Sequence, residues 1–205
     1  VFMEYRKKEN DSFEKLSQRN VDFGGGLERL TATTLGSADL YAVDVFDTAR
    51  TTLEQCSGKQ YQGEALLQKS FRIILDHVRA ATFMIASCIR PSNTEQGYVL
   101  RRLIRRAIRE ADKLGIKDAV LADVAEGFGA AYADAYPFVL QAAATIREEL
   151  GKEEQQFRKT LANGLRELKK HVGHQKSHMD PEAVFMLHTT YGFPVELTAE
   201  IAKER

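Results

Sequence analysis

Two groups of residues in this sequence have types and spacings that could do chemistry. The first is Asp22-Phe23-Gly24-Gly25-Gly26-Leu27-Glu28-Arg29. Glycine lets the backbone approach a flat or phosphorylated ligand closely, and a guanidinium in the first turn of a following helix can grip phosphate oxygens through two N–H groups. Nucleotide binding is one reading. A flexible turn is the other, and a glycine triplet alone does not separate them.

The second group is Arg101-Arg102-Leu103-Ile104-Arg105-Arg106-Ala107-Ile108-Arg109. Leu100, Leu103, Ile104, Ala107 and Ile108 form an apolar stripe at helical spacing, which predicts that the five arginines lie on the flanks and outer face. Five positive charges then crowd about 13 Å of helix at 1.5 Å per residue. Glu110 and Asp112 come too late to pair with most of them at i,i+4. The face either bridges to acids on neighbouring helices or contacts phosphate. Asn93, just ahead of this helix, can donate and accept toward a base edge, or can cap the helix.

Other polar groups carry less. His171, His174 and His178 resemble a ligand cluster but have no carboxylate or thiol partner at helical spacing, so no metal site is expected. Asp76-His77 sits in an apolar helical stretch and reads as a satisfied core histidine, since no serine or cysteine nucleophile pattern surrounds it. Asp44 and Asp47 read as a solvated or capping pair.

Composition bounds the possibilities. Across 205 residues, 29 Lys+Arg balance 29 Asp+Glu, so any nucleic-acid surface must be local rather than global. With 43% apolar residues and 4 prolines the chain can bury a core. The most apolar stretch, residues 80–89, is interrupted by Thr82 and Ser87 and is too short to span a bilayer, so no membrane association is expected. Cys56 and Cys88 form no disulfide or zinc pattern, which fits a reducing, cytoplasmic setting. The chain opens at Val1 without a targeting signature and reads as an excised piece of a longer protein.

The elements that must position these residues follow from periodicity. Residues 1–6, an Asn10-Asp11 turn and an extended stretch through Phe13, Leu16 and Val21 predict a β-hairpin. Beyond Gly36 the period is helical. One helix is predicted from the Ser37/Asp39 caps through Leu53 to Ser57-Gly58, and a buried one over 66–89 with Pro91 as its stop. A third runs over 98–114, capped by Ser92 with Glu95, or by Asn93. A shorter helix over 119–132 precedes Pro137 and a long segment over 138–172 that Gly151 and Gly164 could bend. A loop over 171–179 leads to a short helix opened by Pro181, then a break at Tyr191-Gly192-Phe193-Pro194 before 195–203. The fold class is mostly α, a short N-terminal antiparallel β-hairpin followed by a helical bundle.

The order of these segments is more specific than any one of them. Val1-Phe2-Met3-Glu4-Tyr5, the Asn20 to Leu30 glycine segment, Ser70-Phe71-Arg72, Asp76-His77-Val78-Arg79, Pro91-Ser92-Asn93, Gly97 to Arg102 and Thr190-Tyr191-Gly192-Phe193-Pro194 together resemble the alanyl-tRNA synthetase family over essentially the whole chain. The resemblance implies that residues 1–36 end a class II catalytic domain at its motif 3, and that 37–205 form a helical tRNA-recognition domain. It implies ATP-dependent ligation of alanine to tRNA(Ala), with Asp22 holding the alanine ammonium, Gly24 and Gly26 shaping the floor under alanine and ATP, and Arg29 as the catalytic contact to the ATP phosphates. It also implies that Asn93 reads the G·U wobble pair of the acceptor stem, with Arg101, Arg102, Arg105 and Arg106 near phosphate.

In that family an aspartate usually precedes Thr-Tyr-Gly-Phe-Pro as a second reader of the wobble pair. Here Thr189 stands there, keeping a hydroxyl but not the charge, a departure that implies an altered or relaxed identity rule in place of the family's exclusive G·U discrimination. Segments resembling motifs 1 and 2 and an editing domain are absent, so ATP and Mg2+ belong to the complete enzyme, none is expected bound to this piece, and the piece alone is expected to be inactive. The alternative is a free-standing helical RNA-binding module without ligase activity.

Overall fold

A computed structural model of the chain describes residues 2–21, 24–172 and 180–203. They are mostly helical behind an antiparallel hairpin, and contacts divide the chain into two compact units, Val1–Val43 and Asp44–Arg205.

In the first unit β1 (Phe2–Lys7) pairs antiparallel with β2 (Phe13–Val21), with a bulge between Met3 and Tyr5. The turn is held by Asn10, whose Oδ1 accepts from the Ser12 N–H at 3.2 Å and the Ser12 hydroxyl at 2.6 Å, while Asp11 takes φ 60°. Short side chains that bond locally tolerate that left-handed region. The glycine segment hands over to α1 (Leu27–Thr34), whose N-cap, Gly26, gives no side-chain bond to the first N–H groups.

The single helix predicted from Asp39 is broken. Two 3-10 turns, Leu40–Ala42 and Asp44–Phe46, precede α2 (Asp47–Ser57). The reason is local: Asp39 accepts from the Tyr41 N–H at 3.1 Å, Asp44 from the Val45 N–H at 2.9 Å, and Val43 between them is extended. Side chains that bond their own backbone compete with the helical ladder. Asp47 pairs with Arg50 at 2.5 Å on the first turn of α2.

The second unit continues with α3 (Ala65–Ala86), α4 (Glu95–Lys113), α5 (Leu121–Ala131), α6 (Pro137–Gln141), α7 (Ala143–Val172), α8 (Pro181–Thr189) and α9 (Val195–Lys203). Its core joins Phe71, Ile74 and Val78 of α3 to Leu100, Ile104 and Ile108 of α4 and to Leu150, Phe157 and Leu161 of α7, all buried. Each such side chain contributes roughly 1.5–3 kcal/mol. Pro137 opens α6 as predicted, but the long segment is divided at Ala142, and Gly151 and Gly164 lie inside α7 without ending it. The His174 and His178 positions of the predicted loop lie outside the described residues, and α7 continues through His171 to Val172.

The entry to α4 differs from both capping schemes. Thr94 is the N-cap and makes no side-chain cap bond, while the Ser92 hydroxyl turns to the Thr94 backbone. The Ser92 N–H donates to the Gly97 carbonyl at 3.1 Å, so residues 90–94 fold back over the first turn. Only glycine permits this at 97: a Cβ there would collide with Ser92 and stand 2.5 Å from the Arg90 carbonyl oxygen. Among the described residues no helix is long and apolar enough to cross a membrane.

Candidate nucleic-acid interface

On α4, Tyr98, Arg101, Arg102 and Arg105 follow i, i+3, i+4, i+7 spacing and therefore share one face. That face, with Asn93 ahead of it, forms one wall of an open groove of about 420 Å³. The other wall is His188, Thr189, Gly192 and Pro194, from the end of α8 and the break before α9. The fold thus gathers Asn93, Arg101, Arg102, Arg105 and Thr189, drawn from positions far apart in the chain, around one cavity.

The two walls are joined from beneath. Arg105 donates through Nε to Glu153 Oε1 at 2.6 Å and through Nη1 to the Gly192 carbonyl, and its guanidinium lies 5.1 Å from the centre of the Phe157 ring. Gly192 has φ 67°, and a Cβ there would meet the Arg105 guanidinium, so the loop can close onto the arginine only with glycine at this point. Phe193 next to it packs against Phe157 and over Gly164. Burial pulls the Arg105 guanidinium below its ordinary value, and Glu153 opposes that shift. The same Glu153 oxygen accepts from Arg101 Nε at 3.3 Å, and Arg101 Nη1 donates to Asn93 Oδ1. The Asn93 amide is therefore oriented with its oxygen on Arg101 and its NH2 directed elsewhere.

The arginine helix does not have the outer face expected of it. Arg105 and Arg109 are buried, and all five arginines have carboxylate partners: Glu153 for Arg101 and Arg105, Glu196 for Arg102, Glu200 for Arg106 and Glu110 for Arg109. Arg101, Arg102, Arg105 and Arg106 bridge to acids on neighbouring helices, and Arg109 pairs with Glu110 of its own helix. Arg106 is turned away from the groove. It meets Glu200 with two bonds, at 2.8 and 2.9 Å, and His77 Nε2 at 3.1 Å. A guanidinium only donates, so His77 accepts there and carries its proton on Nδ1, which donates to Asp76 at 3.0 Å. His77 is a satisfied interior histidine.

Arg102 keeps the groove accessible to charge. Its Nη1 donates to Glu196 Oε1 at 2.9 Å, and its side chain stays 38% exposed, enough for its other N–H groups to face solvent. The Tyr98 hydroxyl donates to the other Glu196 oxygen at 3.0 Å. Burial and that bond hold the Tyr98 phenol above its usual range. Burial pushes the Glu196 carboxyl up, but its backbone N–H, Arg102 and Tyr98 outweigh this and leave it lowered. Thr189 is exposed, and its hydroxyl donates to the Phe185 carbonyl at 2.9 Å, which leaves oxygen lone pairs for the groove.

In the first unit Gly26 caps α1 and Arg29 is exposed on its first turn, while a Cβ at Gly24 would meet open space. Asp22 lies outside the described residues. Among the described residues no three His, Cys, Asp or Glu converge as metal ligands.

Glu153, Glu196, Tyr98 and His188 were not singled out from the sequence. Glu153 does have a signal: it follows Ile146 and Leu150 and precedes Phe157 at core spacing, an acid in an apolar stripe. Glu196 and His188 have none, because their partners are close only in space.

The chain belongs to the class II (A) tRNA synthetases, a family that matches it over residues 1–205. Relatives named Alanine–tRNA ligase align with all of it: 41% identical in Borrelia hermsii (strain HS1 / DAH), 40% in Psychrobacter sp. (strain PRwf-1) and 37% in Thermotoga petrophila. The chain spans 35%, 22% and 24% of those proteins, about a third of their length or less.

Proposed function

We propose that this chain is the part of a cytoplasmic alanine–tRNA ligase that completes the alanine and ATP pocket and seats the acceptor stem of tRNA(Ala). The observation that carries the reading is the groove itself: an amide held by Arg101 on one side, Thr189 on the other, and a partly exposed Arg102 at the rim. An amide can read a base edge in the shallow groove of an RNA stem while arginine meets the phosphates. Asn93 and Thr189 are the readers, Arg101 and Arg102 the phosphate contacts, and Arg105 holds the two walls together.

The first unit fits phosphate binding. The first N–H groups of α1 have no side-chain cap, Gly24 leaves the backbone open, and Arg29 extends beside Gly26. Asp22, Gly24, Gly26 and Arg29 would hold alanine and ATP in the complete enzyme. ATP with Mg2+ would supply the phosphorus that the alanine carboxylate attacks, before the tRNA 3′ ribose hydroxyl takes the alanyl group. Leu27 and Leu30 of α1 are exposed, an apolar face suited to the rest of an adenylation fold.

A fluorescence anisotropy titration with acceptor-stem hairpins carrying G·U or G·C tests the acceptor-stem reading. The wobble stem should bind more tightly. With one phosphate each on Arg101 and Arg102, log K should fall by roughly 2 per decade of salt. A flat salt profile, with affinity unchanged in Arg101→Ala plus Arg102→Ala, would overturn it.

A further inference from the structure

Glu196 and Glu200 lie one turn apart on α9 and face Arg102 and Arg106, one turn apart on α4. The two rungs differ. The Glu200 rung is bidentate and lies outside the groove, with His77 against its arginine. The Glu196 rung is a single bond to an arginine at the groove rim, and the other Glu196 oxygen holds the Tyr98 hydroxyl of the same wall. Both Glu196 and Arg102 are well exposed, at 49% and 38%.

We propose that Glu196 is a specificity-determining residue, a built-in anion that occupies Arg102 in place of a backbone phosphate. The proposal rests on the groove seating an RNA stem. A carboxylate on a guanidinium competes with phosphate for the same donors. Phosphate attraction is independent of sequence and adds affinity for every stem alike, whereas base-edge contacts discriminate. With Glu196 in place, a stem gains the full Arg102 contact only when it is seated well enough to displace the carboxylate. Stems that dock poorly at Asn93 and Thr189 are left with little electrostatic attraction. Glu196 thereby trades affinity for discrimination, a filter against RNA of the wrong shape.

The test compares the whole chain with Glu196→Gln, Glu196→Asp and Glu200→Gln, using the G·U hairpin and an unrelated RNA hairpin across a salt series. Glu196→Gln should bind the unrelated hairpin more tightly, roughly three- to tenfold at low salt, with a salt slope for that hairpin steeper by about 0.7–0.9 for one added phosphate contact, while the G·U hairpin, which already reaches Arg102, gains less. The preference for the G·U hairpin should shrink. Glu196→Asp keeps the charge and should keep the slope. Glu200→Gln removes the same charge one turn along and should also keep it, which separates occupation of Arg102 from net charge.

Far-UV circular dichroism establishes that each variant is folded. Should Glu196→Gln fail that check, Glu196→Ala serves in its place with the same expected slope. An unchanged slope for the unrelated hairpin, or weaker binding of both hairpins, in a folded neutral variant would overturn the proposal. If the unmodified chain binds the stem through a surface insensitive to Arg101→Ala, the groove reading itself fails. If binding is sensitive to Arg101→Ala but the slope does not move with Glu196, only the filter fails.

Discussion

Arg105 and Glu153 meet in the interior beneath the groove, Nε to Oε1 at 2.6 Å, and the same arginine holds the Gly192 carbonyl. The buried pair ties α4 to α7 and fixes the loop that carries the opposite groove wall. Removing one member of a buried pair leaves an uncompensated charge and costs about 3–5 kcal/mol. Arg105→Met should lower the unfolding free energy by an amount in that range, measured by urea denaturation. Arg105→Lys should recover only part of it, because an ammonium lacks the planar fork that serves both acceptors.

Gly97 sets the position of Asn93. A Cβ at 97 would collide with Ser92 and with the Arg90 carbonyl, so the 90–94 loop must move. Gly97→Ala should cost about 1–3 kcal/mol in the same assay, the usual range for forced overpacking. It should also reduce the preference for G·U over G·C stems, since Asn93 moves with its loop. Equal stem ratios before and after would show that Asn93 does not depend on this packing.

Asp76 is held below its ordinary value, first by the hydrogen bond from His77, with burial opposing and the positive charges of Arg79 and Arg106 assisting. A carboxylate whose folded value is depressed binds fewer protons folded than unfolded. Its contribution is complete above the unfolded value, including at pH 7, and is lost as pH falls from near 4 through the lower folded value. Thermal melts of Asp76→Asn against the unmodified chain should therefore be separated above about pH 5 and draw together as the pH falls through the lowered folded value. A constant difference across that range would rule out the linkage.

Thr189→Asp introduces a carboxylate that cannot donate to the Phe185 carbonyl, as the Thr189 hydroxyl does, and so turns to the groove. The ratio of G·U to G·C stem affinity should rise, read in the same anisotropy titration. Overall affinity should fall slightly from added repulsion of phosphate. An unchanged ratio would show position 189 to be irrelevant to discrimination.

Most of the fold is legible in the chain because its signals are local. The Asn10-Asp11 turn, Gly36 and Gly58 at positive φ, Pro137 and Pro181 in first turns, and the apolar period of α3 and α4 each act within a few residues. The failures are also local but subtler: Asp39 and Asp44 bond their own backbone and break one helix into turns, and Gly97 draws Ser92 away from the cap. Of the candidate site, residue types and their order were readable, including Asn93, the arginines and Thr189. Their pairing was not, since sequence periodicity places a side chain on a helix face without saying what faces it.

The sequence by itself determined the hairpin, the helices and the set of polar residues available to a site, because turn chemistry and helical period depend on neighbours along the chain. Only the tertiary structure decided which arginines remain open to a ligand. Arg105 is taken by Glu153 from 48 residues away and Arg106 by Glu200 from 94, and Arg102 shares Glu196 with Tyr98. The charge that a groove presents is what remains after such pairings, and they form between helices that folding alone brings together.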